Sequence, residues 1–155
     1  MLRGVSFEIP NKYGTFLADI LKPIELSTYN WLNQNEEAYI IKDGHLDEEL
    51  FPGIEEVIDG SLLENRIKNN QYYVIFADLK AFPKGEKVHN IKTYEEFSNS
   101  RCELVLLVVD SGYITIYCKD KEKLNFLHRN AIECSFENVE YITDENDGRT
   151  GLSVW

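Results

Sequence analysis

Leu104-Val105-Leu106-Leu107-Val108-Val109 is apolar at six successive positions, three of them valine. A helix or strand with one wet face would carry polar residues at regular intervals, every few positions or every second one. A short unbroken run predicts instead a central strand covered on both faces. No apolar run in the chain is longer, and crossing a bilayer takes roughly 20 such residues. The run therefore belongs to a packed sheet, and the rest of the chain must supply its cover.

The flanking patterns name the pieces. Val5, Phe7 and Ile9 alternate with polar or small residues and predict an opening strand. Asn11 then caps a helix with Tyr13, Phe16, Leu17 and Ile20 on one stripe, which Pro23 ends. Tyr29–Leu32 and Ala38–Ile41 read as two strands joined by the polar loop Asn33–Glu37, and Asp43-Gly44 closes the second. After the Pro52-Gly53 turn, Ile54, Val57 and Ile58 suggest one helical turn. Ser61-Leu62-Leu63-Glu64 has capping-box spacing and starts a helix to about Asn69. Tyr72–Ala77 is a strand, and a loop through Pro83-Lys84-Gly85 leads to a second capping box, Thr93-Tyr94-Glu95-Glu96.

Asp110-Ser111-Gly112 turns the central run into an antiparallel neighbour, Tyr113–Cys118. A helix from about Lys121 carries Leu124, Leu127, His128 and Ala131 on one stripe. Val139, Tyr141 and Thr143 line a further strand, Asp144–Gly148 forms a turn, and Leu152–Trp155 reads as a last short strand. These elements predict an α+β fold: a mixed or mainly antiparallel sheet with helices packed on it. At 155 residues, with 43% hydrophobic composition, one globular domain over residues 1–155 is expected.

The charge is uneven. Residues 36–59 hold nine acids against one base, Lys42, a net of −8 out of −11 for the whole chain. Glu137, Glu140, Asp144, Glu145 and Asp147 form a second base-free patch, and the one basic cluster, Lys80, Lys84, Lys87 and Lys92, is placed in a loop. Phosphate-backbone binding needs a positive field, so no nucleic-acid partner is expected. Three cysteines cannot pair completely, and the first residues lack a signal-peptide core, so a cytoplasmic, non-membrane protein is expected.

Reactive motifs fail their geometric tests. His45, His89 and His128 share no zinc-helix spacing, and Cys102 and Cys118 read as small buried hydrophobes. Phosphate loops and nucleophile elbows are absent. Thr143–Thr150 has a glycine where a calcium loop has one. Aligned on Gly148, however, it puts Thr143 and Val154 at ligand positions that need carboxylates. The adjacent carboxylates, Glu36-Glu37 among them, read as solvated faces. No catalytic, metal or cofactor residue is assigned, and Asp144, Asp147 and Arg149 are the candidate binding surface.

Two segments carry a resemblance: Arg3-Gly4-Val5-Ser6-Phe7-Glu8-Ile9-Pro10-Asn11 with Tyr13-Gly14, and Asn138-Val139-Glu140-Tyr141-Ile142-Thr143-Asp144-Glu145-Asn146-Asp147-Gly148-Arg149-Thr150. Through them the chain resembles an uncharacterised family of small proteins from Bacillus-type bacteria, the Firmicutes. The resemblance implies a bacterial, cytoplasmic setting and supplies no catalytic residue. The favoured expectation is a non-catalytic acidic interaction module with a basic protein partner. The alternatives are a small enzyme of unrecognised type and a structural protein that self-associates through the Leu152–Trp155 edge.

Overall fold

The computed structural model describes residues 1–51 and 56–154. Its strands are β1 (Leu2–Glu8), β2 (Tyr29–Lys42), β3 (His45–Glu49), β4 (Glu56–Asp59), β5 (Tyr72–Pro83), β6 (Leu104–Val109), β7 (Tyr113–Cys118) and β8 (Glu137–Thr143). Its helices are α1 (Phe16–Ile20), α2 (Gly60–Lys68), α3 (Tyr94–Asn99) and α4 (Lys121–Glu133), with one 3-10 turn at Leu26–Thr28. Among the described residues all eight strands join one sheet in the order β3-β2-β5-β6-β7-β1-β8, and β4 pairs with the first part of β2. Every pairing is antiparallel. The sheet dominates and the helices are small.

The apolar run is β6, at the middle of the strand order, and it is covered on both faces. Leu104, Leu106 and Val108 belong to a large core with Trp31, Leu79, Ile116, Leu63 of α2 and Leu124 and Leu127 of α4. Val105 and Leu107 point the other way, into a smaller core with Leu32, Phe82, Ile91, Phe97, Tyr117 and Leu152. Helices α1, α2 and α4 thus cover one face. The other is closed by α3, its flanking loops and the carboxy-terminal tail.

Tertiary pairing changes several sequence expectations. Tyr29–Leu32 and Ala38–Ile41 are one strand, not two, because β2 pairs with β5 from Tyr29↔Pro83 to Ile40↔Tyr72. Register shifts between Asn33 and Asn35 and between Glu37 and Ala38 absorb the polar stretch that resembled a loop. Val57 and Ile58 lie in β4 and form no helical turn. Ile54, the Pro52-Gly53 turn and Trp155 lie outside the described residues. Residues 152–154 run irregularly instead of forming a strand. There Leu152 is buried in the smaller core and its amide donates to the Lys92 carbonyl at 2.9 Å.

Capping follows local chemistry. Asp59, not Ser61, caps α2, accepting the Ser61 amide at 2.8 Å. Thr93 caps α3 as its spacing predicts, accepting the Glu96 amide at 3.1 Å. Asp120 caps α4 through the Glu122 and Lys123 amides at 2.9 and 3.1 Å. Asn11 caps nothing: its side chain accepts from the Tyr73 hydroxyl, and α1 starts later, after Thr15.

Gly4, between β7 and β8 in the sheet, has no room for a side chain. A Cβ built there would lie 1.9 Å from the Ile116 carbonyl oxygen, which is backbone and cannot swing away. Gly4→Ala is expected to destabilise the protein by about 2–4 kcal/mol through forced strand separation. Gly148→Ala, where a Cβ meets nothing within 4 Å, serves as the comparison. Urea denaturation of both variants is the measurement, and equal midpoints would contradict the close approach at Gly4.

Candidate functional site

Asp144, Asp147 and Arg149 come together where the tail leaves β8. Asp147 is nearly enclosed: its carboxylate accepts the Tyr117 hydroxyl at 3.0 and 3.1 Å and the Arg3 Nη1 at 3.1 Å. Arg3 also donates through Nε to Asp144 at 2.8 Å, with its guanidinium 4.0 Å above the Tyr94 ring. The Arg149 amide donates to Asp147 at 3.1 Å, and its Nη1 donates to the Ser153 carbonyl at 2.8 Å. The Arg3 hydrogen bond holds the Asp144 carboxyl below the usual carboxylate range, and Asp144 and Asp147 together raise Arg3. Burial, reinforced by Asp147, pushes the Tyr117 hydroxyl upward. These groups largely satisfy one another, and the cluster fastens the first strand, β7 and the tail together.

Beneath the tail lies a feature the sequence disguised. Lys80, assigned above to a basic loop, sits in β5 with no exposed surface, and its Nζ is 2.6 Å from Asp78 Oδ1. Asp78 is equally buried, and its Oδ2 has no hydrogen-bond partner among the described residues. Burial raises the Asp78 carboxyl, while Lys80 and, more weakly, Arg149 act against that rise. Lys84, also placed in the basic cluster, is engaged 2.7 Å from Asp59.

Glu36 likewise departs from the solvated face expected of paired carboxylates. It lies opposite Ala77 in β2, on the face of the larger core. The Asn33 amide donates to Oε1 at 3.4 Å, and Oε2 is buried, with no partner within hydrogen-bond distance among the described residues. Burial pushes its pKa to about 8; nearby Glu49 adds to the rise, while Asn33, the Phe51 backbone and Arg66 oppose it. Glu36 can thus exchange a proton near neutrality. Nothing in the bare Glu-Glu spacing marks it out, since only the register of β2 decides which of the two turns inward.

The remaining acids of that stretch are outside. All five residues of β3 are exposed, and Asp47, Glu48 and Glu49 stand on the terminal strand of the sheet. Lys42 reaches Asp47 at 3.4 Å and Glu48 at 3.8 Å. At the opposite edge, β8 exposes Glu137 and Glu140.

The histidines occupy separate settings. His45 begins β3, His89 lies beside Phe82 with ring centroids 5.8 Å apart, and His128 stacks on Tyr141 at 4.0 Å. Cys102 and Cys118 are buried, and burial raises their thiols to about 12 and about 11. Cys134 is exposed at the end of α4. Among the described residues, no three His, Cys, Asp or Glu side chains are grouped to hold a metal ion. No helix among them is long and apolar enough to cross a membrane.

A dominant antiparallel sheet with small helices on one face and an irregular layer on the other makes this an α+β protein. The chain belongs to the family described as Protein of unknown function (DUF2691), whose model matches residues 2–153. It is 50% identical over 154 residues to Uncharacterized protein YncE of Bacillus subtilis (strain 168), covering 99% of this chain and 100% of that protein. The terminal segments had pointed to this kind of family. No solved structure matches the chain.

The Glu36 environment has a pH signature. Its folded pKa of about 8 lies above the ordinary 4.5, so its stabilising contribution is complete below pH 4.5 and is lost as pH rises through 8. Glu36→Gln should therefore be more stable than the parent protein at pH 9, by about 2 kcal/mol. The full shift would imply ~5 kcal/mol at 1.36 per unit, reduced because the group is partly exposed. The difference should vanish near pH 4.5. Denaturant titrations across that range test it, and a pH-independent difference would contradict the buried carboxyl.

Proposed function

We propose that the protein is a non-catalytic acidic interaction module, cytoplasmic, that folds as one unit and engages a basic protein segment along its β3 edge. The observation that carries this reading is the combination of β3's terminal place in the sheet with its three exposed acids, Asp47, Glu48 and Glu49. An edge strand offers backbone donors and acceptors to an added strand, and its side chains select the partner by charge. Asp43 and Gly44, at φ 53° and 77°, form the tight turn that holds β3 against β2. The edge is thus a shaped surface with a defined register. Acids on β8 at the other edge disfavour edge-to-edge pairing of two copies, because like charges would face each other.

A lysine-rich extended peptide titrated into isotopically labelled protein at low salt should shift the β3 amides first. Reversing Asp47, Glu48 and Glu49 to lysine should abolish those shifts. Raising the salt to about 0.5 M should weaken binding strongly, since exposed charges are then screened within about 5 Å. Shifts spread evenly over every acidic surface, or unchanged by the reversal, would contradict a β3 site.

The single-unit reading is supported by the membership of all described strands in one sheet. Calorimetry is expected to give one transition with equal calorimetric and van't Hoff enthalpies. Two separable transitions would contradict it.

A further inference from the structure

The smaller core is roofed in part by the tail after β8, which has no regular structure. Its hold on the sheet includes Asp147 on Tyr117 and Arg3, the Leu152 amide on the Lys92 carbonyl, and the side chains of Leu152 and Val154 against the smaller core. Arg149 makes no hydrogen bond to the sheet, because its guanidinium turns back onto the tail's own carbonyls at Gly151 and Ser153, but its charge lies near enough to favour the Asp78 carboxylate and so adds weakly to the closed state. Under this roof, on the face of β5 that carries Phe82, lies the Asp78–Lys80 pair. The pair has no exposed surface, and one carboxylate oxygen lacks a partner among the described residues.

Those two facts pull against each other. Burying an ion pair removes hydration from both groups, and the loss is made good only where the remaining lone pairs and protons find partners. Here Asp78 Oδ2 finds none, so the closed arrangement leaves a polar deficit that water would fill at once if the roof lifted. A segment that unfolds alone breaks few backbone hydrogen bonds and exposes two aliphatic side chains, Leu152 and Val154, far less than the sheet would lose.

We infer that residues 147–154 form a strap that opens independently of the sheet, hydrating the Asp78–Lys80 pair and uncovering the Tyr117 hydroxyl two strands away on the same face. The closed state is held by Asp147, Leu152 and Val154, with a weaker pull of Arg149 on Asp78, and the open state is favoured by the unsatisfied carboxylate oxygen. Opening converts a sealed face into a groove whose floor carries an acid, a base and a phenol. The strap is thereby a built-in cover over the polar groups at the centre of the sheet.

Native-state hydrogen exchange of the whole chain tests this. The Leu152 amide should exchange about 100-fold or more faster than the Leu106 amide in β6, with a rate nearly independent of low denaturant concentrations, as for a local opening. In the double variant Asp78→Leu, Lys80→Met, where the deficit is gone and opening would wet apolar groups, Leu152 exchange should slow by about tenfold. Leu152 and Leu106 exchanging at one rate with one denaturant slope would overturn the strap, and that measurement needs no variant. Exchange at Leu152 that is unchanged or faster in the folded double variant would overturn the role of the buried pair.

Discussion

Burial of β6 on both faces is the constraint from which the architecture follows. A sheet with one wet face needs one covering layer; this one needs two. The helices supply the first in the ordinary way, each turning an apolar stripe to the sheet. The second is assembled from what is left over: short α3, its loops and the tail. A layer made of irregular chain has few backbone hydrogen bonds of its own, so side chains must fasten it. This explains why Arg3, Tyr94, Tyr117, Asp144 and Asp147 meet where they do.

Much of the fold was legible, and the pattern of success is physical. β6, β7 and the turn between them were read from an apolar run, an alternating run and the Asp-Ser-Gly that joins them, all local signals. The α3 cap and the α4 stripe were equally local. Failures concentrate where distant pairing overrides local preference. Asn33–Glu37 is polar enough for a loop, but twelve residues of β5 alongside hold it as bulged strand. Residues 152–154 have strand composition, yet they run as irregular chain with Leu152 and Val154 packed on the smaller core.

The candidate site was legible in a narrower sense. Asp144, Asp147 and Arg149 were drawn from one turn, and the turn does gather them, but the main partners of the two aspartates, Arg3 and Tyr117, lie more than a hundred and about thirty residues away. No spacing rule reaches that far. Lys80 was misplaced because lysines counted along the chain look like a patch. Only the strand register shows that Lys80 turns inward beside Asp78 while Lys84 stays at the surface. Glu36 was missed for the same reason, since the inward member of a Glu-Glu pair is chosen by pairing and not by composition.

The position of the first strand bears on how the polypeptide is born. β1 sits between β7 and β8, with Gly4 opposite Tyr117 on one side and Ile142 on the other. During synthesis its residues leave the ribosome before any of those neighbours exist, and they must wait for more than a hundred further residues. Closure of that half of the molecule therefore waits on the synthesis of β7 and β8, and such remote pairings carry a loop-closure entropy. Until then the nascent β1 presents Val5 and Phe7 uncovered, an interval in which a chaperone has something to hold.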